Sequence, residues 1–187
     1  LQWLAPARFE PVIYAEYRDG DWNLMDLLYV GQAPDFMTRP PEEARLINGA
    51  LHQIVTLQGA KTKIVREGKG FRFTTEGAPL SPALAHPFKL AEFNLTGEEQ
   101  VFIGLRTRVV SGRLIFGLVG RGGRIYHRLT VDPSRLPREL WLSGPAASDL
   151  EGLVILNGVG VARESEGVLY ETVLRVLSPE NSGPDGS

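Results

Sequence analysis

Three aromatic residues, Trp22, Tyr126 and Trp141, have the chemistry to receive a sugar, because a flat ring stacks on a sugar face while its polar edge stays wet. The commoner use of such a ring is packing in a core or an interface. Arg106 and Arg108, and likewise Arg124 and Arg128, recur at spacings of two and four along alternating segments, on the side opposite the apolar set. There a planar guanidinium can hold a carboxylate, a phosphate or the acidic surface of a partner. Interleaved with nearby acids, the same arginines also make an ordinary solvated face.

The remaining motifs carry less chemistry. Asp19-Gly20-Asp21-Trp22-Asn23, followed by Asp26, begins like a calcium loop, but Leu24 stands where the turn needs glycine and Val30 where a bidentate glutamate belongs. A plain acidic turn fits better, and no metal site is expected. His52, His86 and His127 fall on separate elements without metal-ligand spacing, and no Gly-x-Ser-x-Gly elbow accompanies them. His127 alternates with the inward set, which predicts a hydrogen-bonded core histidine. Gly120-Arg121-Gly122-Gly123-Arg124 lacks the Lys-Ser or Lys-Thr of a phosphate loop and precedes a strand, so a hairpin turn is predicted. No pair of carboxylates is fixed by a motif, and no catalytic residue is assigned. No cofactor is implied. Asn94-Leu95-Thr96 matches a glycosylation acceptor, which matters only in a eukaryotic secretory protein.

Alternation of apolar and polar residues governs the chain from Lys61 onward and predicts half-buried strands. Thr62–Glu67 and Gly70–Thr75 read as a hairpin around Gly68-Lys69. Val101, Ile103, Leu105, Thr107 and Val109 share one face of a long strand. Leu114, Phe116 and Leu118 continue that inward set after Ser111-Gly112, and Ile125, His127, Leu129 and Val131 follow Gly122-Gly123, which predicts a three-strand meander. Leu140–Leu142, Leu153–Leu156 and Val168–Leu177 supply further strands, with Asp132-Pro133 and Ser178-Pro179 as stops. About eight strands in this length fit a sandwich or jelly roll.

The first sixty residues read differently. Pro11–Tyr17 is a candidate strand, and Pro41 to Asn48 has proline at a helix start, acids in the first turn and Asn-Gly at the end, which predicts a short helix. Leu51–Leu57 is an alternative strand after the Asn48-Gly49 turn. The expected organisation is an N-terminal extension over 1–60, a β-sandwich over 61–178 and a tail over 179–187. The fold class is mainly β, a two-sheet antiparallel sandwich with an irregular N-terminal extension containing at most a short helix.

The Gly-rich hairpin, the long alternating strand, Ser-Gly-Arg-Leu-Ile-Phe-Gly-Leu-Val, the Gly-Gly turn and the final Glu-Gly-Val-Leu-Tyr-Glu-Thr-Val-Leu-Arg-Val together resemble the galactose-binding-like and carbohydrate-binding jelly-roll modules over about residues 61–177. The resemblance implies a binding protein with no catalytic chemistry of its own. Such modules bind sugars through loops or a sheet face, and the same fold also serves as a docking subunit.

Bulk properties narrow the partners. A net charge of -2 disfavours a broad grip on nucleic acid, and the absence of cysteine removes disulfides and thiolate chemistry. No stretch approaches the roughly 20 apolar residues that span a bilayer. Beginning at Leu1 rather than Met, the chain leaves open a removed signal or anchor, and with it an extracytoplasmic or membrane-peripheral location. The sequence therefore predicts a noncatalytic interaction subunit that docks on other protein subunits, or alternatively a carbohydrate-binding module whose partner is a glycan. In the second case Trp22, Tyr126, Trp141, Arg106, Arg108 and Arg128 are the candidate ligand-binding residues.

Overall fold

The computed structural model describes residues 11–18, 21–29, 37–47, 55–56, 61–68, 70–88, 93–158 and 163–179, and for 11–18, 21–29 and 55–56 the backbone alone. In chain order the strands are β1 (Pro11–Arg18), β2 (Asp21–Tyr29), β3 (Arg45–Ile47), β4 (Val55–Thr56), β5 (Lys63–Glu67), β6 (Gly70–Thr74), β7 (Pro82–Pro87), β8 (Gln100–Ser111), β9 (Leu114–Gly120), β10 (Arg124–Val131), β11 (Arg138–Ala146), β12 (Leu150–Asn157) and β13 (Glu166–Leu177). They form two antiparallel sheets, ordered β11-β8-β13-β6-β5 and β10-β9-β12-β7-β4, plus the β1-β2 hairpin.

The alternation of β8 is obeyed along its length. Val101, Ile103, Leu105, Thr107 and Val109 are all buried, and Thr107 satisfies its hydroxyl by donating to the Val168 carbonyl at 2.9 Å. Opposite them stand Leu114, Phe116 and Leu118 of β9 and Leu153 and Ile155 of β12, so one apolar layer lies between the sheets. Each fully buried Leu or Phe side chain contributes roughly 1.5–3 kcal/mol, which makes this layer the main stabilising element. At one edge of the sandwich His127 of β10 accepts the Ser143 amide of β11 through Nδ1 at 2.8 Å, joining one sheet to the other. His127 is 3% exposed, the core role expected of it.

Several expectations are corrected. The meander fails between β8 and β9: β8 pairs with β11 and β13, whereas β9 pairs with β10 and β12. The Ser111-Gly112 turn, with Gly112 at φ 73°, carries the chain across the core from one sheet to the other instead of closing a hairpin. Alternation alone cannot tell these apart, because both leave the inward set inward. The helix expected from Pro41 to Asn48 is absent over the described part of that segment. One turn closes from the Ala44 amide to the Pro41 carbonyl at 3.1 Å, and Arg45–Ile47 then pairs with Leu174–Val176 of β13. Ladder bonds to a central strand outweigh the weak propensity of a seven-residue helix. Of the alternative strand at Leu51–Leu57, Val55 and Thr56 form β4 on β7, and residues 51–54 and 57 lie outside the described residues. Pro82–Pro87 forms a strand that the sequence reading did not include. The expected acidic turn is shorter than supposed, because Asp21, Trp22 and Asn23 already belong to β2. The tail from 180 onward lies outside the described residues.

Two polar clusters close the ends of the layer. Asn157, fully buried, accepts from the Thr75 and Ser165 hydroxyls and donates to the Ala78 and Arg163 carbonyls, which ties the β6–β7 and β12–β13 loops together. Ahead of β8, the buried Glu99 carboxylate accepts the amides of Thr96 at 3.0 Å and Gly97 at 2.9 Å. Burial alone would raise its pKa, but the surrounding backbone and Thr96 hydrogen bonds outweigh it and lower the value from 4.5 to about 2. A carboxylate held below its unfolded value stabilises the fold above that unfolded value. The stabilisation is lost as pH falls from 4.5 toward 2. We expect the unfolding midpoint of the chain to drop in that window. In Glu99→Gln the drop should flatten, with stability at pH 7 lower by about 1–3 kcal/mol for an amide left without its acceptor. Denaturant titrations across pH measure both.

Candidate functional site

The outer face of β11, β8 and β13 carries an open groove of about 470 Å³. Register places its side chains in rows across the three strands. Trp141, Gly104 and Val173 form one row, and Glu139, Arg106 and Glu171 form the next. Neighbouring Cα atoms in antiparallel strands stand about 4.5–5.5 Å apart, so the second row spans about 10 Å. Pro137 and Arg138 complete the rim.

Each row depends on a local departure from a plain strand. At Gly104 an added Cβ would lie 2.6 Å from Trp141 Cη2 and 2.6 Å from Val173 Cγ2, so the missing side chain is what lets the indole lie across β8. In β13 the register shifts between Leu169 and Glu171, which makes Tyr170 an extra residue. Without that bulge Tyr170 would stand beside Arg106 and Glu171 would point into the core. With it, Glu171 joins the groove while Thr172, Leu174 and Val176 remain buried.

Trp141 is only 7% exposed. Ala44 packs with it and with Phe102 in a small cluster on this outer face, joined by Val173 and Leu177. The Thr38 amide reaches the Trp141 carbonyl at 3.4 Å, and Arg175 Nη1 reaches the Ala44 carbonyl at 3.4 Å, which seats the 37–47 segment over the aromatic end of the sheet. The indole Nε1 donates to Glu139 Oε1 at 2.6 Å. Trp141 thus packs beside Gly104 and Val173 next to the groove and is not a free platform, and its hydrogen bond fixes Glu139.

The sequence candidates separate onto different surfaces. Arg106 and Arg108 share the outer face of β8 with Trp141, and Arg106 lines the groove. Arg108 lies across the buried Val168, one outward step further along the strand. Arg124 and Arg128 belong to β10 in the other sheet, so the four arginines do not make one stripe. Arg128 is 8% exposed, and burial pulls its guanidinium below the usual value. Tyr126 is the bulged residue of β10, packed where a Gly120 side chain would be, with the Arg124 guanidinium carbon 5.5 Å from its ring centroid. That bulge also turns Ile125 to the outer side, beside Gly117, so Ile125 leaves the inward set expected of it. Trp22 pairs with Tyr17 in the β1-β2 hairpin, and its side chain is not among those described. Gly104, Glu139 and Glu171 were missed in the sequence. The available signal was the three-residue gap between the apolar Leu169 and the inward Thr172, which breaks a period of two.

No group of three or more His, Cys, Asp or Glu suited to a metal occurs among the described residues, and no helix there is long and apolar enough to cross a membrane.

No protein-family model matches the chain, and no curated protein matches its sequence. Solved structures with some likeness to the chain include carbohydrate-binding modules. The BiXyn10A CBM1 module is 14% identical, with a TM-score of 0.42 over 66% of this chain and 86% of its own. The CBM22-1–GH10 modules of a Clostridium thermocellum endo-1,4-β-D-xylanase, complexed with xylohexaose, are 10% identical with a TM-score of 0.46. That match spans 70% of this chain but 27% of the xylanase. CBM29_1, a family 29 carbohydrate-binding module from Piromyces equi, is 11% identical with a TM-score of 0.36 and 95% coverage of both chains. The two-sheet antiparallel sandwich expected from the sequence is shown by the strand pairing itself. At these scores no ligand or site is carried across, and the groove has to be read on its own chemistry.

The Gly104 packing is testable. In Gly104→Ala the new methyl meets both Trp141 and Val173, and we expect a loss of about 1–3 kcal/mol from overpacking. In a Trp3→Phe, Trp22→Phe background the Trp141 emission should shift to the red as the indole is pushed toward water. Denaturant unfolding and emission spectra check the two effects separately.

Proposed function

We propose that this chain is a noncatalytic glycan-binding module whose ligand lies in the groove on the outer face of β11, β8 and β13. The observation that carries the reading is the row Glu139, Arg106, Glu171. It presents acceptor, donor and acceptor in sequence, all three exposed, beside Gly104 and Val173. Sugar hydroxyls both donate and accept. A carboxylate takes a hydroxyl proton and a guanidinium gives to a hydroxyl oxygen, so adjacent hydroxyls of one ring can be met by adjacent strands. The groove volume falls within the range of small-ligand sites. Among the described residues Arg106 forms no ion pair with either flanking glutamate, which leaves all its donors available.

The docking-subunit alternative draws on the N-terminal arm and the tail, whereas the glycan reading uses a formed site. Native affinity electrophoresis of the full chain through gels containing single soluble polysaccharides tests it. Retardation on at least one polysaccharide is expected, with at least a tenfold loss of affinity in Arg106→Ala, about 1.4 kcal/mol and at the low end for a hydrogen bond to a charged group. No retardation on any polysaccharide, or retardation unchanged in Arg106→Ala, overturns the proposal.

A further inference from the structure

Two arginines on the same outer face are treated differently by their neighbours. Arg72 of β6 faces Val168 and is held by Glu166, Nε to Oε1 at 2.5 Å, with Glu67 at 3.6 Å. Those carboxylates occupy it, and the Glu166 hydrogen bond raises its pKa. Arg106 also has a glutamate in register on each side, and is bonded to neither. The reason for one of them is visible. Glu139 Oε1 is committed to the Trp141 indole at 2.6 Å, so its charge is directed toward that ring. Arg138 is exposed on the groove rim and Arg108 follows Arg106 on the same face of β8. Arg106 and Arg138 thus line the groove together with Glu139 and Glu171, and of these two carboxylates Glu171 is the one not described in a hydrogen bond.

We propose, resting on the glycan reading above, that the groove selects glycans bearing a carboxylate, the mark of a uronic acid, and that Arg106 receives that carboxylate. A planar fork of N–H donors matches both oxygens of a carboxylate, and a charge-assisted hydrogen bond is roughly twice as strong as a neutral one. Arg138 and Arg108 add attraction at longer range. Glu171, exposed and beside Arg106, opposes the incoming charge and limits the preference.

Calorimetric titration of the full chain with a matched pair of ligands decides the matter: one xylo-oligosaccharide, and the same oligosaccharide carrying a single glucuronate branch. The branched ligand is expected to bind at least tenfold more tightly at low ionic strength, with the advantage shrinking as salt is raised toward 0.5 M. Arg106→Gln should erase the advantage, and Arg106→Lys should retain only part of it because the fork is lost. Glu171→Gln should raise the ratio of branched to plain affinity several-fold, since it removes the opposing charge for the branched ligand alone. Circular dichroism and thermal melts establish that each variant is folded. Equal binding of the two ligands, or tighter binding of the plain one, overturns the carboxylate preference and leaves the glycan reading standing. If neither ligand binds the wild-type chain and no polysaccharide retards it, both proposals fall.

Discussion

The pairing of β8 with β13 is the constraint on which both the core and the groove depend. Each strand is twelve residues long and they run side by side at the centre of one sheet. Ile103 and Leu105, with Leu174 and Val176, must face the other sheet, and a slip of one residue would exchange every inward for every outward side chain. Such a slip would drive Arg106 into an apolar layer with no partner while exposing Ile103 and Leu105. Both changes are costly, so the register is fixed by the core. The outer face inherits that register, and the row through Arg106 comes with it.

A strictly alternating strand would nonetheless have produced a different surface. The bulge at Tyr170 re-aims Glu171 without disturbing the residues that follow, and the bulge at Tyr126 does the same in the other sheet, where Ile125 moves to the outer side. Gly104 acts by absence, since any side chain there would stand where the indole of Trp141 lies. The groove is thus shaped by two small irregularities, Gly104 and the Tyr170 bulge, set in a regular frame. These two leave Thr172, Leu174 and Val176 buried in the inter-sheet layer, which is why they can alter a surface at little cost to stability.

What could be read in the sequence follows the same division. The inward set of β8 was legible because five residues repeat at a period of two and each is apolar or small enough to be buried. The hairpin of β5 and β6 was legible because Gly68, at φ 61°, supplies the turn conformation that other residues avoid. The partner of each strand was not legible. Period two says which face is buried but not which sheet a strand joins, so the crossing at Ser111-Gly112 was mistaken for a hairpin turn. The site was half legible: Arg106, Arg108 and Trp141 stood out as residue types, while Glu139 and Glu171 resembled any solvated acid until register placed them on either side of Arg106. Arg124, Arg128 and Tyr126 shared the same alternation and were grouped with Arg106, because the pattern is silent about the layer between them.

The burial of Trp141 changes what kind of binding surface this is. A platform of open rings draws its affinity from stacking and tolerates many sugars, since every pyranose has an apolar face. Here the ring is covered at one end by the segment containing Ala44, and its polar edge is occupied by Glu139. On the proposed reading, recognition comes from the exposed charged row instead. Hydrogen bonds from a guanidinium and carboxylates on three neighbouring strands are directional, so they distinguish the positions of hydroxyl and acidic groups more sharply than stacking does. They are also exposed to water and salt, which keeps each one modest. On the proposed glycan reading, this surface selects ligands by the placement of their polar groups, with affinity built up by several such contacts along one ligand and not by any single anchor.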